Sequence, residues 1–136
     1  MHKITLKEAV KFHGHLGPYL VLGLLAGDLA LKKLKSKKYF GLDVSVRGAD
    51  KKPKSCLIDG LQLSTGATYG KGNIRKTGAR GIKIIVTDKS SGRKAALSIK
   101  KAILREIEAA EGHAASETLA KKLFKQGSLF NLAPVT

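Results

Sequence analysis

Residues 74–99 read IRKTGARGIKIIVTDKSSGRKAALSI. Three short runs within them, Ile74–Thr77, Ile82–Asp88 and Lys94–Ile99, have the composition of half-buried strands. Ser90, Ser91 and Gly92 supply turn chemistry between the last two. A further strand is expected upstream, where Asp43-Val44-Ser45-Val46-Arg47 alternates polar and apolar residues. Thr5–Phe12 predicts a short amphipathic helix, with Thr5 as its cap and Leu6, Ala9 and Val10 on one face. Pro18 stands where the first turn of a helix favours proline. Leu20, Val21, Leu24, Leu25, Leu29 and Leu31 then predict a long helix buried on most sides, ending in Lys32, Lys33, Lys35, Lys37 and Lys38. Cys56–Leu63 reads as another helix and Gly66–Asn73 as a glycine-rich loop. Lys100–Glu111 and Ser116–Lys125 read as closing helices, with Gly112 and Gly127 as stops. Strands interleaved with helices in no regular order predict a single α+β domain over residues 1–136, its long helix and shorter helices packed on a mixed or antiparallel sheet.

The 136 residues suffice for a packed core, and 43% are hydrophobic. No apolar run reaches the roughly 18–20 residues of a membrane span, and the N-terminus lacks the pattern of a signal peptide. The one cysteine leaves a free thiol, and a cytoplasmic setting follows most simply. The long helix, apolar almost all round, predicts a homodimer that would cover it. The net charge is +16. Such a surface attracts nucleic acid or an acidic partner. Twenty-one of the 26 basic residues are lysines scattered along the chain, beside only four Asn and Gln, a balance that heat adaptation also produces. Single-strand stacking would call for more aromatics than Tyr39 and Phe40 in the basic tract Lys32–Lys54, so weak, non-specific nucleic-acid binding is the most expected there.

Three segments could carry chemistry. If His13-Gly14-His15 is extended, its imidazoles project to one side and can face one centre. Cys56 follows Lys51, Lys52 and Lys54 at the start of a helix, and both features favour a thiolate; the alternative is a small buried hydrophobe. Asp59 and Gln62 follow on the same helix, Asp59 on the face of Cys56. The loop Gly66–Asn73 resembles a phosphate loop but lacks its spacing, and Gly72 follows Lys71 where a hydroxyl is needed, which excludes nucleotide hydrolysis. Thr65, Gly66, Thr68, Lys71 and Asn73 could still offer an anion cradle, or simply make a tight turn. His2 is terminal, and His113 is expected between helices as a solvated cap.

The order Phe12-His13-Gly14-His15-x-x-Pro18, followed by Cys56-x-x-Asp59-Gly60-x-Gln62-x-x-Thr65-Gly66-x-Thr68-x-Gly70-Lys71-Gly72-Asn73, resembles the E-subunit family of formylmethanofuran dehydrogenase over about residues 5–100. The resemblance implies an α+β fold and a metal bound by residues of the two motifs, here His13, His15 and Cys56. Asp59 and Gln62 would orient a ligand or bound water, while Gly66 and Thr68 would line the pocket wall. Many members carry a zinc-ribbon extension whose cysteines this chain does not have. The family usually has further cysteines where this chain has Gly17 and Ala67. Two imidazoles, one thiolate and an open position still suit zinc or a related divalent transition metal. Loss of the metal with the pocket reused is the other outcome. In the enzyme that names the family, redox chemistry belongs to other subunits. The resemblance therefore implies an accessory domain whose partners are redox-enzyme subunits or a pterin-type ligand. A small enzyme with Cys56 as nucleophile is a further reading.

Overall fold

The structure, a computed structural model, describes residues 3–136; His2 lies outside them. Among the described residues five helices pack on one five-stranded sheet, an α+β architecture. Helix α1 spans Leu6–His13, α2 Pro18–Leu34, α3 Cys56–Thr65, α4 Lys101–Ala109 and α5 Gly112–Lys125. The strands are β1 Leu42–Arg47, β2 Ile74–Thr77, β3 Lys83–Asp88, β4 Lys94–Ile99 and β5 Phe130–Leu132, in the order β2-β1-β3-β4-β5. The sheet is mixed: Val44 of β1 pairs in parallel with Ile74 and antiparallel with Val86. The parallel pair β1 and β2 is joined through α3, because such strands need a long crossover.

Alternation decides which face of the sheet is covered. Leu42, Val44 and Val46 of β1, Ile84 and Val86 of β3, and Ala95, Leu97 and Ile99 of β4 point into one core, while their neighbours stay half-exposed. Each large aliphatic side chain so buried contributes about 1.5–3 kcal/mol. Helix α2 fills the centre of this core, packed by α3, α5 and the sheet. Its apolar girth, the ground for expecting a homodimer, is covered within the chain: Tyr19, Leu20, Val21, Leu22, Leu24, Ala26 and Ala30 are all buried.

The crossing of α2 and α3 is unusually close. A Cβ at Gly23 would run into the Leu57 carbonyl oxygen, and one at Gly60 into that of Leu20. The hydroxyl of Ser64 spans the two helices, donating to the Gly23 carbonyl at 3.0 Å. Helix α1 docks on this pair through a smaller cluster of Ala9, Leu20 and Leu24, with Leu6 and Leu63 against it. Its N-terminus carries a capping box, in which Thr5 Oγ1 accepts from the Glu8 N–H and Glu8 Oε1 accepts from the Thr5 N–H. A cap of this kind is worth about 1 kcal/mol.

Strands β2 and β4 have the boundaries expected from the sequence. The short edge strand β5 was not foreseen, since Phe130-Asn131-Leu132 is too brief for a period to show. Gly112 does not stop α4 but opens α5; the break lies at Ala110 and Glu111, whose backbones are extended. His113 is therefore the second residue of α5, not a connector. No helix among the described residues is long and apolar enough to cross a membrane.

Candidate metal centre

His13 is the last residue of α1, and Gly14 follows in the left-handed conformation at φ 105°. That conformation is costly for any residue with a Cβ, so glycine is what lets the chain turn sharply between the two histidines. The extended His-Gly-His segment is thus corrected to a helix end and a turn. The two rings meet all the same, with centroids 4.7 Å apart and planes tilted by 47°. Cys56 arrives from the first residue of α3, and the tight α2–α3 crossing fixes where it stands. The ligand atoms of His13, His15 and Cys56 lie within 4.8 Å of one another. That is somewhat wider than the roughly 3.5 Å between donors around a tetrahedral ion.

Hydrogen bonding distinguishes the two nitrogens of His13. Its Nδ1 lies 2.6 Å from Asp59 Oδ2, and Gln62 Nε2 donates to the other oxygen of that carboxylate at 3.4 Å. A neutral imidazole that donates from Nδ1 carries its lone pair on Nε2. The His13 side chain is only 10% exposed, and its Nε2 is buried with no partner. Gln126 Oε1, at the end of α5, is the other such atom among the described residues. An orphaned buried acceptor costs about 1–3 kcal/mol unless something fills its valence. Carboxylate, imidazole and an unoccupied nitrogen make the arrangement in which protein histidines bind metal ions. The donor set therefore fits an ion.

Cys56 differs from expectation. Burial first, and then the Asp59 carboxylate, push its thiol up, with Lys52 opposing. The helix start does not offset this. The N–H groups of Cys56, Leu57 and Ile58 already donate to the carbonyls of Pro53, Lys54 and Ser55. Without an ion, Cys56 is a thiol rather than a thiolate.

The glycine-rich loop turns its polar groups inward. Thr65 Oγ1 donates to the Leu61 carbonyl and accepts from the Ala67 N–H. Gly66 caps α3 in the left-handed conformation, against Tyr39. Thr68 Oγ1 accepts from the Lys71 N–H. Asn73 bridges the Thr68 N–H and the Leu42 carbonyl, while Lys71 Nζ donates to the Tyr39 carbonyl. A cavity of about 240 Å³ beside the cluster is instead lined by His13, Cys56, Asp59, Lys52, Tyr69 and Lys76. Gly66 and Thr68 are not among its walls. Tyr69, missed in the sequence, is reached because the loop's own bonds turn it outward; its N–H donates to Gln62 Oε1.

His15 is more exposed and lines a second cavity of about 310 Å³ with Gly17, Pro18 and His113. A Cβ at Gly17 would lie 3.2 Å from His15 Cε1, so position 17 borders the histidine pair. Ala67 is fully buried.

The family model described as "FmdE, Molybdenum formylmethanofuran dehydrogenase operon" matches residues 12–128. A curated "Probable S-adenosyl-L-methionine-binding protein" of Archaeoglobus fulgidus is 33% identical over 73 residues, covering 51% of this chain and 19% of that protein. This chain thus spans only a fraction of that relative's length. Among solved structures, a tungsten formylmethanofuran dehydrogenase FmdE-like protein from Syntrophus aciditrophicus superposes with a TM-score of 0.70. That match has 22% identity over 96% of this chain and 69% of that one, and it shows the fold. Motifs and family model agree, and the chain belongs to the FmdE family.

Proposed function

We propose that this chain is a metal-binding accessory domain of the cytoplasm in which His13, His15 and Cys56 hold zinc or another divalent transition metal. The buried, unpartnered Nε2 of His13 carries the reading, since its ring is already fixed by Asp59 through Nδ1. Asp59 keeps the tautomer and Gln62 steadies Asp59. The thiol supports an ion better than it supports free nucleophilic catalysis, because a bound cation would draw off the proton that burial retains. A bound ion would bring a Lewis-acidic position that three protein ligands leave open. Residues 1–136 would act as one domain, serving redox-enzyme subunits or carrying a pterin-type ligand, and a second copy of the chain is a further partner to test by solution mass.

The test is the metal content of purified, untagged protein. About one equivalent of a transition metal, lost in Cys56→Ser, is the expected result. Wild-type protein that takes up no transition metal, or a serine variant that keeps it unchanged, refutes the proposal.

One observation favours a second activity. Phe40 is 81% exposed beneath Lys71 Nζ, and Tyr39 lies under Lys38 Nζ, which gives the basic tract two aromatic faces flanked by charge. Such a surface would bind single strands weakly and with a strong salt dependence. No binding at low salt would leave heat adaptation as the account of the +16 charge.

A further inference from the structure

The cavity beside the cluster carries more charge than three metal ligands require. Lys52 and Lys76 enter its walls from two different elements, the turn before α3 and strand β2. Tyr69 adds a phenol from the glycine-rich loop. Asp59 is the one carboxylate there, and its oxygens are engaged by His13 and Gln62. With a divalent ion in place, that ion and two ammonium groups stand against one thiolate and one carboxylate. A surplus of two positive charges would then remain at the mouth of the site, where three protein ligands would leave the ion an open position. At about 240 Å³ the cavity is below the roughly 300–1,000 Å³ typical of drug-sized ligands. Its size and charge select a small anion.

We infer that this cavity receives a small oxyanion such as a carboxylate, which takes the open position beside His13, His15 and Cys56 and is held by Lys52, Lys76 and Tyr69. The inference rests on the metal-binding reading above. The lysines act as flexible, strongly hydrated charges that neutralise the oxyanion, and the phenol donates a hydrogen bond that orients it. Lys52 and Lys76 are exposed at their positions, so they can reach an incoming anion without being needed by the core.

Cobalt(II) replaces zinc with visible bands that respond to the ligand set, so cobalt-loaded protein reports on the anion directly. Metal content is measured first, and then acetate is titrated at constant ionic strength held with perchlorate. The expected result is a saturable change in the cobalt bands. In Lys52→Met/Lys76→Met the dissociation constant for acetate should rise at least about ten-fold while cobalt content stays the same. Tyr69→Phe should weaken acetate less than the double variant does. Bands that ignore acetate, or that respond equally in the double variant, overturn the anion site and leave the metal site standing. A chain that takes up no cobalt overturns both.

Discussion

The turn at residues 13–17 and the loop at residues 66–73 are alike in sequence: each sets glycine among polar side chains at one end of a buried helix. Their hydrogen bonding differs. In the loop, Thr65, Thr68, Lys71 and Asn73 all find partners in the backbone around them, so the loop is a closed scaffold. In the turn, His13 satisfies one nitrogen through Asp59 and leaves the other buried without a hydrogen-bond partner beside His15 and Cys56. Polar residue type alone does not separate a site from a scaffold; the accounting of donors and acceptors does.

Four measurements put this contrast at risk. The largest effect is expected for Cys56→Ser, which should lower metal affinity by more than about 100-fold, beyond what losing a hydrogen-bond partner of a ligand causes. The melting temperature of the metal-free variant should barely move, because Cys56 only borders the core. A variant that binds metal normally would move the site elsewhere. Next, Gly66→Ala places a Cβ at φ 80° and within 2.8 Å of Tyr39 Cα. It should cost about 3 kcal/mol in denaturant unfolding while folded protein keeps its metal stoichiometry. Loss of metal without loss of stability would instead make the loop part of the site.

Third, Asp59→Asn removes the anionic partner of His13 Nδ1 and should weaken metal binding about 10–100-fold with the fold intact. Unchanged affinity would show that Asp59 does not orient the ring. The smallest effect concerns another closed turn. Hydrogen bonds from Ser36 and then Ser90 hold Asp88 down to about 2. A carboxyl depressed in the folded state stabilises fully above its ordinary value and loses that contribution as pH falls through about 2. Metal-free protein should therefore melt at lower temperature as pH drops from about 4 to about 2, and Asp88→Asn should flatten part of that slope. An identical slope in the variant would assign the acid sensitivity to other groups, such as Asp43 beside Arg75.

The periodic parts of the fold were readable. Leu20 to Leu31 announced a buried helix, and Val44 and Val46 announced a strand covered on one face. The three candidate ligands were readable too, because a His-x-His pair and a lone cysteine stand out in a chain with four histidines and one thiol. What brings them together was not. Convergence depends on the turn at Gly14 and on the contact of Gly23 with Gly60, and no local pattern states that two glycines 37 positions apart will meet. The cavity walls were equally hidden. Lys52, Tyr69 and Lys76 are ordinary surface residues until the crossover through α3 sets β2 beside the turn that precedes that helix.

His13 and Cys56 are separated by 43 positions, and one sits at the end of α1 while the other begins α3. An ion held between them would clasp the N-terminal helix to the body of the molecule, adding to the apolar cluster of Ala9, Leu20 and Leu24 and the His13–Asp59 hydrogen bond that already hold it. Tightness at that end then becomes a matter of mass action: free metal at 100 times its dissociation constant would add about 2.7 kcal/mol to folding. Chelation should loosen α1 before anything else, visible as faster amide exchange from Leu6 to His13 while the α2–α3 crossing stays protected. The supply of an ion in the cell would thereby set how firmly this protein holds its own first helix.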